Sequence, residues 1–530
     1  MSKPIYTLDA ETDPFKHGRK PMPFCWDFYD GDKHHTTWGD NCTDEMMEYI
    51  RTRKPGIIYM HNGGRFDIYY FIHEILNLPM KIINGRITKA QMVCARGKHE
   101  VRDSYSIIPV PLALTIKEGG KIDIEYSKME RDVRDHWRSE IIFYLHRDTE
   151  LLWKLCVEFV DMFGMQLTIG GTAMKELRKT SEFTRLTLME DKPIRERYFF
   201  GGRVECFESG IIEGSSFKVY DVNSMYPHVM KTETHPVGRC YFTGSKVTKD
   251  TCFITARGYS RGAFPVRPIQ GNLNFDHQYG TFHITRHEWD AAEELALFDC
   301  DAIIDCQEFD AKICFDEFVS KFYDLRMQAL DAGDEIRKLF YKLCMNSAFG
   351  KFSQSSENYC EYRLTDATEN LVGLGWAPLT LHGSLGDGKG SWIIWSKPSL
   401  DETMYNVATG CSITGAARAM LMHAIHVAKR PIYCDTDSLI CESLPVETGK
   451  ALGQWKLEAE CDRIAIAGKK LYALFQDGEV VKQANKGVKI SAADIVKVCE
   501  GGEVECLRDA PSFKLDGSYR FIDRIVRMTA

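Results

Sequence analysis

Two acidic segments far apart in the chain constrain its fold most strongly. The first ends a strand pattern at 217–222, in which alternate residues, including Asp221, share one face. The second is an apolar hairpin pattern at 432–441, whose turn reads Tyr433-Cys-Asp-Thr-Asp-Ser438. Strands with one buried face need a shared sheet and a fixed register. We therefore predict that the two segments meet in one antiparallel sheet.

Length and composition indicate a multidomain globular protein. The chain has 530 residues, which is too long for a single hydrophobic core, so we expect several domains. Its residues are 27% charged and 44% hydrophobic, which excludes the disordered and fibrous classes. No run approaches the roughly 18 apolar residues of a membrane span, and the N-terminus lacks the apolar core of a signal peptide. The 18 cysteines form no Cys-x-x-Cys pair, which argues against zinc knuckles and a disulfide framework. We expect a cytoplasmic protein without membrane contact.

The charge balance alone argues against a partner as acidic as a nucleic acid. The formal net charge is −8, whereas phosphate binding normally depends on Lys and Arg. The basic residues are nevertheless concentrated at 175–203, 321–351 and 463–489. Such local clusters are what a polyanion bound in a groove would require.

Sequence patterns suggest the domain boundaries. Residues 1–165 alternate strand and helix patterns, with strands at 5–10 and 57–61 and a helix at about 138–163, which is typical of an α/β domain. Residues 315–352 have apolar side chains at helical spacing and a break at 331–334, which predicts a helical hairpin. The segments 235–310 and 353–400 look like insertions that decorate the sheet, and 490–530 is long enough only for a small appended subdomain.

The acids near the two central strands fit nucleotide joining. Two Mg²⁺ ions held by carboxylates can activate a primer hydroxyl and stabilise the leaving pyrophosphate. Asp221 facing the Asp435-Thr-Asp437 turn supplies such carboxylates, although the turn alone is equally typical of an ordinary hairpin. Lys338 and Lys342 lie one helical turn apart and suit a triphosphate, with an ordinary solvated helix face as the alternative.

A second set of acids lies in the first domain. Asp9 and Glu11 share a strand face, and Tyr144 and Asp148 share a helix face by the i, i+4 rule. Together with Asp67, these acids would repel one another without cations. With two Mg²⁺ they could activate a water molecule against a phosphodiester. Each segment taken singly is also compatible with surface polar residues.

Four ordered segments resemble the motifs of the family B DNA polymerases. The segments that look like motifs A, B, C and KxY of that family are Asp-x-x-Ser-Met-Tyr-Pro at 221–227, Lys-x-x-x-Asn-Ser-x-Phe-Gly at 342–350, Tyr-x-Asp-Thr-Asp-Ser at 433–438 and Lys-Leu-Tyr at 470–472. The acids of the first domain resemble exonuclease motifs I, II and III of the same family. The resemblance covers nearly the whole chain.

This resemblance implies an α/β and α+β multidomain fold. A ribonuclease-H-like 3′→5′ exonuclease domain at 1–165 would precede a right-hand polymerase domain at 166–530. The implied parts of the second domain are a palm at 190–234 and 401–489, a first terminal-protein-region insertion at about 235–310, fingers at 311–352, a second insertion at about 353–400 and a small thumb at 490–530.

The resemblance also implies roles for individual residues. Asp221 and Asp437 would bind metal, with Val222 as a further metal contact, Asp435 as a supporting carboxylate and Lys342 as a catalytic contact to the triphosphate. Asp9, Glu11, Asp67 and Asp148 would bind the exonuclease metals, with Tyr144 and Lys128 assisting hydrolysis. The implied nucleotide contacts are Asn223, Ser224, Met225, Tyr226, Lys338, Lys342 and Asn346. The implied DNA contacts are His61, Asn62, Phe66, Ser104, Phe199, Gly201, Gly202, Lys470 and Tyr472.

The chain looks most like the protein-primed branch, of the tectivirus type found in bacteriophages. The implied partners are template DNA, single-stranded DNA, deoxynucleotides and a terminal protein primer, with a single-stranded-DNA-binding protein as a further candidate, all in the cytoplasm of a bacterial host. The implied cofactor is Mg²⁺, two per active site, with Mn²⁺ able to substitute. Phe199 and Phe349 depart from the family because tyrosine is usual at both places, and Tyr105 stands where leucine is usual.

Three other interpretations remain open from the residues. A polymerase primed by nucleic acid would share every catalytic residue, and only the insertions argue against it. A nuclease alone would require the two polymerase-like acid segments to be accidental. A scaffold that only binds DNA and terminal protein would not need seven spaced acids, although fold-level reasoning does not exclude it.

Overall fold

The computed structural model describes residues 3–16, 19–115, 124–268, 271–354, 360–385, 388–398, 405–485, 487–506, 512–520 and 524–528. Within those ranges, no helix is both long and apolar enough to cross a membrane.

The N-terminal domain is built on a ten-stranded mixed sheet. In spatial order its strands are Ala377–Pro378, Trp392–Pro398, Cys360–Asp366, Pro79–Ile83, Arg86–Cys94, Gly97–Asp103, Ile57–Met60, Ile5–Thr12, Pro23–Tyr29 and His34–Trp38. Helices Cys42–Thr52 and Arg138–Phe163 pack against it. The predicted strands and long helix of the α/β domain are therefore confirmed, with small shifts in their bounds.

Three strands of this sheet come from the segment predicted as a second insertion. Tyr362 pairs with Met80, so these three strands extend the N-terminal sheet and not the sheet that carries Asp221. Its placement was therefore predicted wrongly. The segment joins this sheet because its apolar side chains are buried there: Trp392 and Ile394 lie in the same core as Ile72.

The sheet predicted around Asp221 has seven strands. In spatial order they are Glu479–Asn485, Leu471–Gln476, Trp455–Gly468, Gly210–Val222, Ser438–Ser443, Lys429–Asp435 and Val204–Cys206. The two acidic segments are antiparallel neighbours, which confirms the prediction. Helix Val407–Val427 is buried along most of its length. Its many small residues allow the backbones of neighbouring elements to approach closely.

The predicted helical hairpin consists of helices Asp316–Asp331 and Glu335–Phe352. Gly333 has a φ of +71° in the connection, and the Asp334 side chain accepts from the backbone N–H of Arg337. Both helices share one core with helices Arg138–Phe163, Ile169–Leu177 and Met225–Thr232. The hairpin is thus fixed against both the long helix of the first domain and the segment that follows Asp221.

The first predicted insertion forms a layer of its own. Its four-stranded sheet has the spatial order Cys240–Gly244, Phe298–Phe309, Thr251–Arg261 and His277–Thr285. Helix Arg286–Glu294 follows and packs on helix Val407–Val427. Strand His277–Thr285 also contacts helix Val407–Val427, and the Phe253 ring of strand Thr251–Arg261 lies 4.7 Å from that of Tyr198. The layer is therefore attached to the rest of the protein through both its helix and its strands.

The remaining elements are short. They comprise helices Leu188–Tyr198 and Ala492–Cys499, the 3-10 helices Gly63–Arg65, Asp67–Ile75, Ser104–Ser106, Leu112–Leu114, Tyr126–Met129 and Val372–Leu374, and the strand pairs His235–Pro236 with Lys312–Ile313, Val504–Cys506 with Arg524–Val526, and Ser512–Phe513 with Tyr519–Arg520. The last pair returns to the N-terminal domain, where the Phe513 ring lies 5.1 Å from that of Phe66.

Candidate active sites

Asp221 and Asp437 come together where their two strands pair. Asp221 lies directly opposite Ser438, and the Val222 N–H donates to the Asp437 carbonyl at 2.8 Å. The turn between the acids is tight, since Thr436 has a φ of +60° and the Asp437 N–H donates to the Asp435 carbonyl at 2.6 Å. Backbone pairing alone therefore brings Asp221 beside the turn.

The pKa values of both carboxyl groups are raised. Burial and the charge of Asp437 raise the pKa of Asp221 from 3.8 to about 6. Burial and the charge of Asp435 likewise raise the pKa of Asp437. Such a cluster of oxygen donors fits a divalent cation, which would remove the repulsion and keep both groups ionised.

Asp435 has different partners. Its Oδ1 accepts from Lys470 Nζ at 2.8 Å, and its Oδ2 accepts from the Tyr433 hydroxyl at 3.4 Å. The same hydroxyl accepts from the Lys470 N–H at 3.0 Å, and the Tyr472 ring lies 5.1 Å from that of Tyr433. These contacts agree with a supporting role for Asp435 and make Lys470 part of the same network.

Lys342 faces this acidic site from the helical hairpin. Burial, then the charges of Arg326 and Lys338, lower its pKa, whereas Asp221 acts in the opposite direction. Lys338 forms an ion pair with Glu335 at 2.5 Å. In the part of the chain that the structure describes, neither Lys342 nor Arg326 forms an ion pair, so both remain available to an anion.

Arg326 was missed in the sequence because it lies on the first helix of the hairpin and outside any motif.

The Tyr226 ring stacks on that of Phe349, with centroids 3.9 Å apart and planes at 18°. The departure at Phe349 therefore keeps the aromatic contact. Burial raises the pKa of Tyr226 to about 12. Ser224 precedes helix Met225–Thr232 in the left-handed region, with a φ of +54°. Tyr226 is thus held by ring packing beside the acids.

Other predicted nucleotide contacts serve the fold. The Asn223 amide donates to the carbonyls of Gly449 and Gln454 at 3.0 and 3.1 Å, and the Met225 side chain is buried. Asn346 differs, because its buried Oδ1 accepts no hydrogen bond from any described residue. It lines a cavity of about 1170 Å³ between the N-terminal sheet and helix Glu335–Phe352, which Lys81, Lys351 and Arg363 also line.

A further charged group near Asp221 was missed in the sequence. On the neighbouring strand, Lys456 lies opposite Asp221 in register. Glu458 pairs with Lys482 at 2.5 Å and with Lys456 at 3.7 Å, and its charge contributes to the raised pKa of Asp221. The charged residues at alternate positions of this strand, Lys456, Glu458 and Glu460, are the signal that could have indicated it.

The second acid cluster forms in the N-terminal domain. Asp9 and Glu11 lie on strand Ile5–Thr12, and burial together with the charge of Asp9 raises the pKa of Asp67 well above its usual value. The long helix lies against this strand, because Thr7 Oγ1 donates to the carbonyl of Thr149, the residue after Asp148. Asp67 therefore lies near Asp9, and the helix that carries Asp148 packs on the strand that carries Asp9 and Glu11.

A buried acid holds the segment around Asp67. Asp103 is 4% exposed and accepts from the backbone N–H groups of Asn62 and Gly64 at 2.9 and 3.1 Å and from Arg86 Nη1 at 2.6 Å. Arg86 also donates to Asn62 Oδ1 at 2.7 Å, and Asn62 has a φ of +64°. Sequence reasoning assigned no role to Asp103 or Arg86, because their supporting contacts exist only in the folded chain.

The other predicted contacts of this domain differ in exposure. Ser104 is fully buried and donates to the Met60 carbonyl at 3.1 Å, and its Oγ lies 3.0 Å from His61 Nδ1. Ser104 therefore positions His61. Phe66 is half-buried, and Lys128 is paired with Glu140 at 2.6 Å in this structure.

Comparisons with known proteins agree with the geometry. Residues 113–372 match the family model described as "DNA polymerase type B, organellar and viral". The chain is 40% identical to the DNA-directed DNA polymerase of Enterobacteria phage PRD1, over 99% of this chain and 98% of that protein. The chain belongs to the type B DNA polymerases.

More distant relatives retain the similarity. The DNA polymerase of Bacillus phage Nf is 26% identical to this chain, over 82% of this chain and 80% of the phage Nf protein. The phi29 DNA polymerase, in a ternary complex with primer-template DNA and incoming nucleotide substrates, matches with a TM-score of 0.76 at 17% identity, over 99% of this chain and 100% of that one. That match shows the shared fold.

In this type B polymerase, the segment 199–202 lies directly against the acidic turn. A Cβ on Gly202 would lie 2.7 Å from Thr436 Oγ1, so glycine is needed for this approach. Arg418 donates to the carbonyls of Phe200 and Gly201 at 2.8 Å each and pairs with buried Glu288 at 2.7 Å. Sequence reasoning missed this ion pair.

The two aromatic residues before this segment have different roles. The Tyr198 hydroxyl lies 2.8 Å from Thr255 Oγ1 and is buried, so its hydrogen bond is formed within the type B polymerase. The Phe199 carbonyl accepts from Arg267 Nη2 at 2.6 Å, and the Phe199 ring is half-buried.

One cluster of the type B polymerase lies outside both sites. Asp27 is fully buried, with Oδ2 2.8 Å from His34 Nδ1 and Oδ1 3.4 Å from His146 Nε2. The two imidazole rings stack, with centroids 3.9 Å apart and planes at 10°. Two imidazoles that bind one metal ion must direct their nitrogen lone pairs towards the same point. Stacked parallel rings hold these lone pairs in separate parallel planes, so the pair does not suit a shared metal ion. Thr149 Oγ1 also donates to Asp27 at 2.7 Å, so the cluster fixes the long helix on the sheet.

Proposed function

We propose that this DNA-directed DNA polymerase extends a terminal-protein primer on a linear viral genome and corrects its product with a 3′→5′ exonuclease. The observation that carries the proposal is the pairing of Asp221 with the Asp437 turn, where neither acid forms an ion pair with any residue that the structure describes. The type B family uses divalent metals, generally Mg²⁺, and we assign two Mg²⁺ to each site, with Mn²⁺ able to substitute.

In the polymerising site, Asp221 and Asp437 would hold the metals, with Val222 as a further contact. The bound ions would activate the primer hydroxyl and stabilise the leaving pyrophosphate. Lys342, Lys338 and the newly recognised Arg326 would orient the triphosphate by charge. The remaining assigned contacts to the nucleotide are Asn223, Ser224, Met225, Tyr226 and Asn346.

The contact of Tyr226 with Phe349 supports a steric role. A ring fixed by stacking cannot move away from an extra substituent on the sugar, so Tyr226 would exclude a 2′-hydroxyl. Lys470 would hold the primer terminus, with Asp435 keeping its ammonium in place until a phosphate replaces it. Tyr472, Phe199, Gly201 and Gly202 would line the path of the DNA.

In the exonuclease site, Asp9, Glu11, Asp67 and Asp148 would hold the metals, and Tyr144 would orient the attacking water. His61, Asn62 and Phe66 would contact the single strand, with Ser104 acting through His61. Lys128 would leave Glu140 to approach the scissile phosphate.

Support for protein priming comes from the full-length similarity to the PRD1 polymerase and from the two inserted regions. We assign exonuclease to 1–165 and polymerase to 166–530, with the insertion, fingers and thumb bounds predicted above. We assign the single template strand to the cavity around Asn346, which three basic residues also line. The proposed protein partners are a terminal protein and a single-stranded-DNA-binding protein. The proposed location is the cytoplasm of a bacterial host.

The priming proposal can be tested with labelled nucleotide, Mg²⁺ and the phage terminal protein, alongside a DNA-primed template. We expect the wild type to label the terminal protein and to extend the DNA primer, and Asp437→Asn to do neither. If DNA primers are extended while the terminal protein stays unlabelled, priming by nucleic acid is the correct alternative.

A further inference from the structure

The segment that carries Lys128 lies outside the sheet and depends on its own anchors. It consists of the 3-10 helix Tyr126–Met129 and a run of turns that ends at Trp137. Met129 is fully buried in one cluster with Tyr144, whereas the Lys128 side chain is half-buried, with 21% of it exposed. The position of the Lys128 backbone therefore follows from the side chains that attach this segment to the domain.

Asp13 provides the main attachment. It follows strand Ile5–Thr12 and is 1% exposed. Its Oδ1 and Oδ2 accept from Arg131 Nε at 3.2 and 3.1 Å, its Oδ2 accepts from Arg131 Nη2 at 2.6 Å, and its Oδ1 accepts from Arg134 Nη1 at 3.0 Å. Two planar guanidinium groups on one carboxylate fix both distance and orientation.

These contacts also separate Asp13 from the catalytic acids. Asp13 lies two residues after Glu11, so its carboxylate is a candidate for a fifth metal ligand. Both of its oxygens are, however, neutralised by arginine. Arg134 is further held over the Phe24 ring, 4.4 Å from its centroid. Asp13 is therefore attached to the Lys128 segment and not to the metal cluster.

Glu130 forms a second attachment two residues after Lys128. It accepts from Arg19 Nη1 at 3.2 Å and pairs with Lys16, and both partners follow Asp13 in the chain. The Lys128 segment is thus bound at two points to the residues that continue the strand of Asp9 and Glu11. Any change in that attachment moves Lys128 relative to the acids.

Lys128 itself rests on the long helix. Its Nζ pairs with Glu140 at 2.6 Å and lies 4.4 Å from the centre of the Trp137 ring. Glu140, Tyr144 and Asp148 are spaced by four residues, so they share a helix face over about 12 Å. Lys128 must cover part of that length to reach a phosphate at Asp148, and its reach is limited by where its backbone is held.

Building on the proposed exonuclease, we infer that Asp13 is a positioning residue for that reaction. Its pairs with Arg131 and Arg134 hold the Lys128 segment at the distance from which the ammonium reaches the scissile phosphate. Asp13 touches neither substrate nor metal. The end of strand Ile5–Thr12 thus carries the metal ligands Asp9 and Glu11, and Asp13 after it determines where Lys128 lies.

The test is a double-mutant cycle in the full-length protein. The variants are Asp13→Ala, Lys128→Ala and the double variant, with Asp13→Asn as a milder change and Glu74→Ala as the matched control. Glu74 pairs with Arg51 in the same domain, at 2.5 Å, away from the Lys128 segment. The measurement is the single-turnover rate of degrading a 3′ single-stranded oligonucleotide, with DNA-primed extension and thermal unfolding recorded in parallel.

We expect Lys128→Ala to slow degradation about 100-fold, the loss of one transition-state donor. Asp13→Ala should slow it about 10- to 100-fold by misplacement, and the double variant should be no slower than Lys128→Ala alone. Extension should be unchanged in every variant, and Glu74→Ala should degrade DNA like the wild type. Asp13→Asn should lie between the wild type and Asp13→Ala.

Three outcomes would overturn the inference. If Asp13→Ala and Asp13→Asn degrade DNA at the wild-type rate, Asp13 does not position Lys128. If the losses multiply in the double variant, Asp13 acts on the domain independently of Lys128. If the wild type does not degrade the oligonucleotide, the proposed exonuclease itself is wrong and the inference falls with it.

Discussion

Replacing Asp221 with asparagine should stabilise the metal-free protein while it abolishes synthesis. The pKa of Asp221 rises from 3.8 to about 6 because of burial and Asp437. Each pH unit corresponds to about 1.4 kcal/mol, so ionising Asp221 in the folded chain costs up to about 3 kcal/mol. Solvent screening reduces this to about 1.5 kcal/mol, or roughly 3 °C or more in melting temperature.

The sign of the effect follows from linkage. A carboxyl whose folded pKa is raised destabilises the fold as pH rises from 3.8 towards about 6, and the full cost is present above that value. In EDTA, Asp221→Asn should therefore melt higher than the wild type at pH 8, and about half of the gain should remain at pH 5. In Mg²⁺ the wild type should gain stability and the variant should not, because only the wild type keeps the complete site.

Differential scanning calorimetry at several pH values, with EDTA or Mg²⁺, measures both effects. Asp44→Asn is a suitable control, because that side chain is 65% exposed and pairs with Lys389 away from the site. The reasoning would be refuted if Asp221→Asn melted no higher than the wild type at pH 8 in EDTA. It would also be refuted if Mg²⁺ stabilised both proteins equally.

Three further predictions concern other residues. Asp9→Ala combined with Glu11→Ala should abolish degradation of a 3′ overhang and leave primer extension intact, and loss of both activities would contradict two separate sites. Arg418→Ala should lower the free energy of unfolding by about 3–5 kcal/mol, because it leaves buried Glu288 without its cation, and urea titration would measure this. Tyr226→Ala should raise the ratio of ribonucleotide to deoxynucleotide incorporation, and an unchanged single-nucleotide incorporation ratio would remove its steric role.

Local patterns in the sequence were sufficient for the elements that carry the acids. The strand of Asp221 and the hairpin of Asp437 were predicted to be neighbours, because an alternating apolar face has to be buried against something similar. The helical hairpin followed from apolar spacing and from its break near Gly333. In each case the signal lies within one contiguous stretch of chain.

Long-range attachments could not be predicted in the same way. The strand at 360–366 pairs with Pro79–Ile83 because their apolar faces fit one core, and nothing in either segment specifies the other. The same holds for supporting residues such as Asp103 and Arg418, whose partners lie far away in sequence. Their roles depend on distances that only the folded chain defines.

The most direct test of the central claim is the single-turnover incorporation of one complementary nucleotide on a primed template in Mg²⁺. Wild type, Asp437→Asn and Asp435→Asn should be compared, with degradation of a 3′ single strand as the measure of intact folding. We predict that Asp437→Asn loses at least about 100-fold in incorporation and keeps wild-type degradation. We expect Asp435→Asn to lose less, because Lys470 and not the metal pair is its partner. Wild-type incorporation by Asp437→Asn would contradict the account.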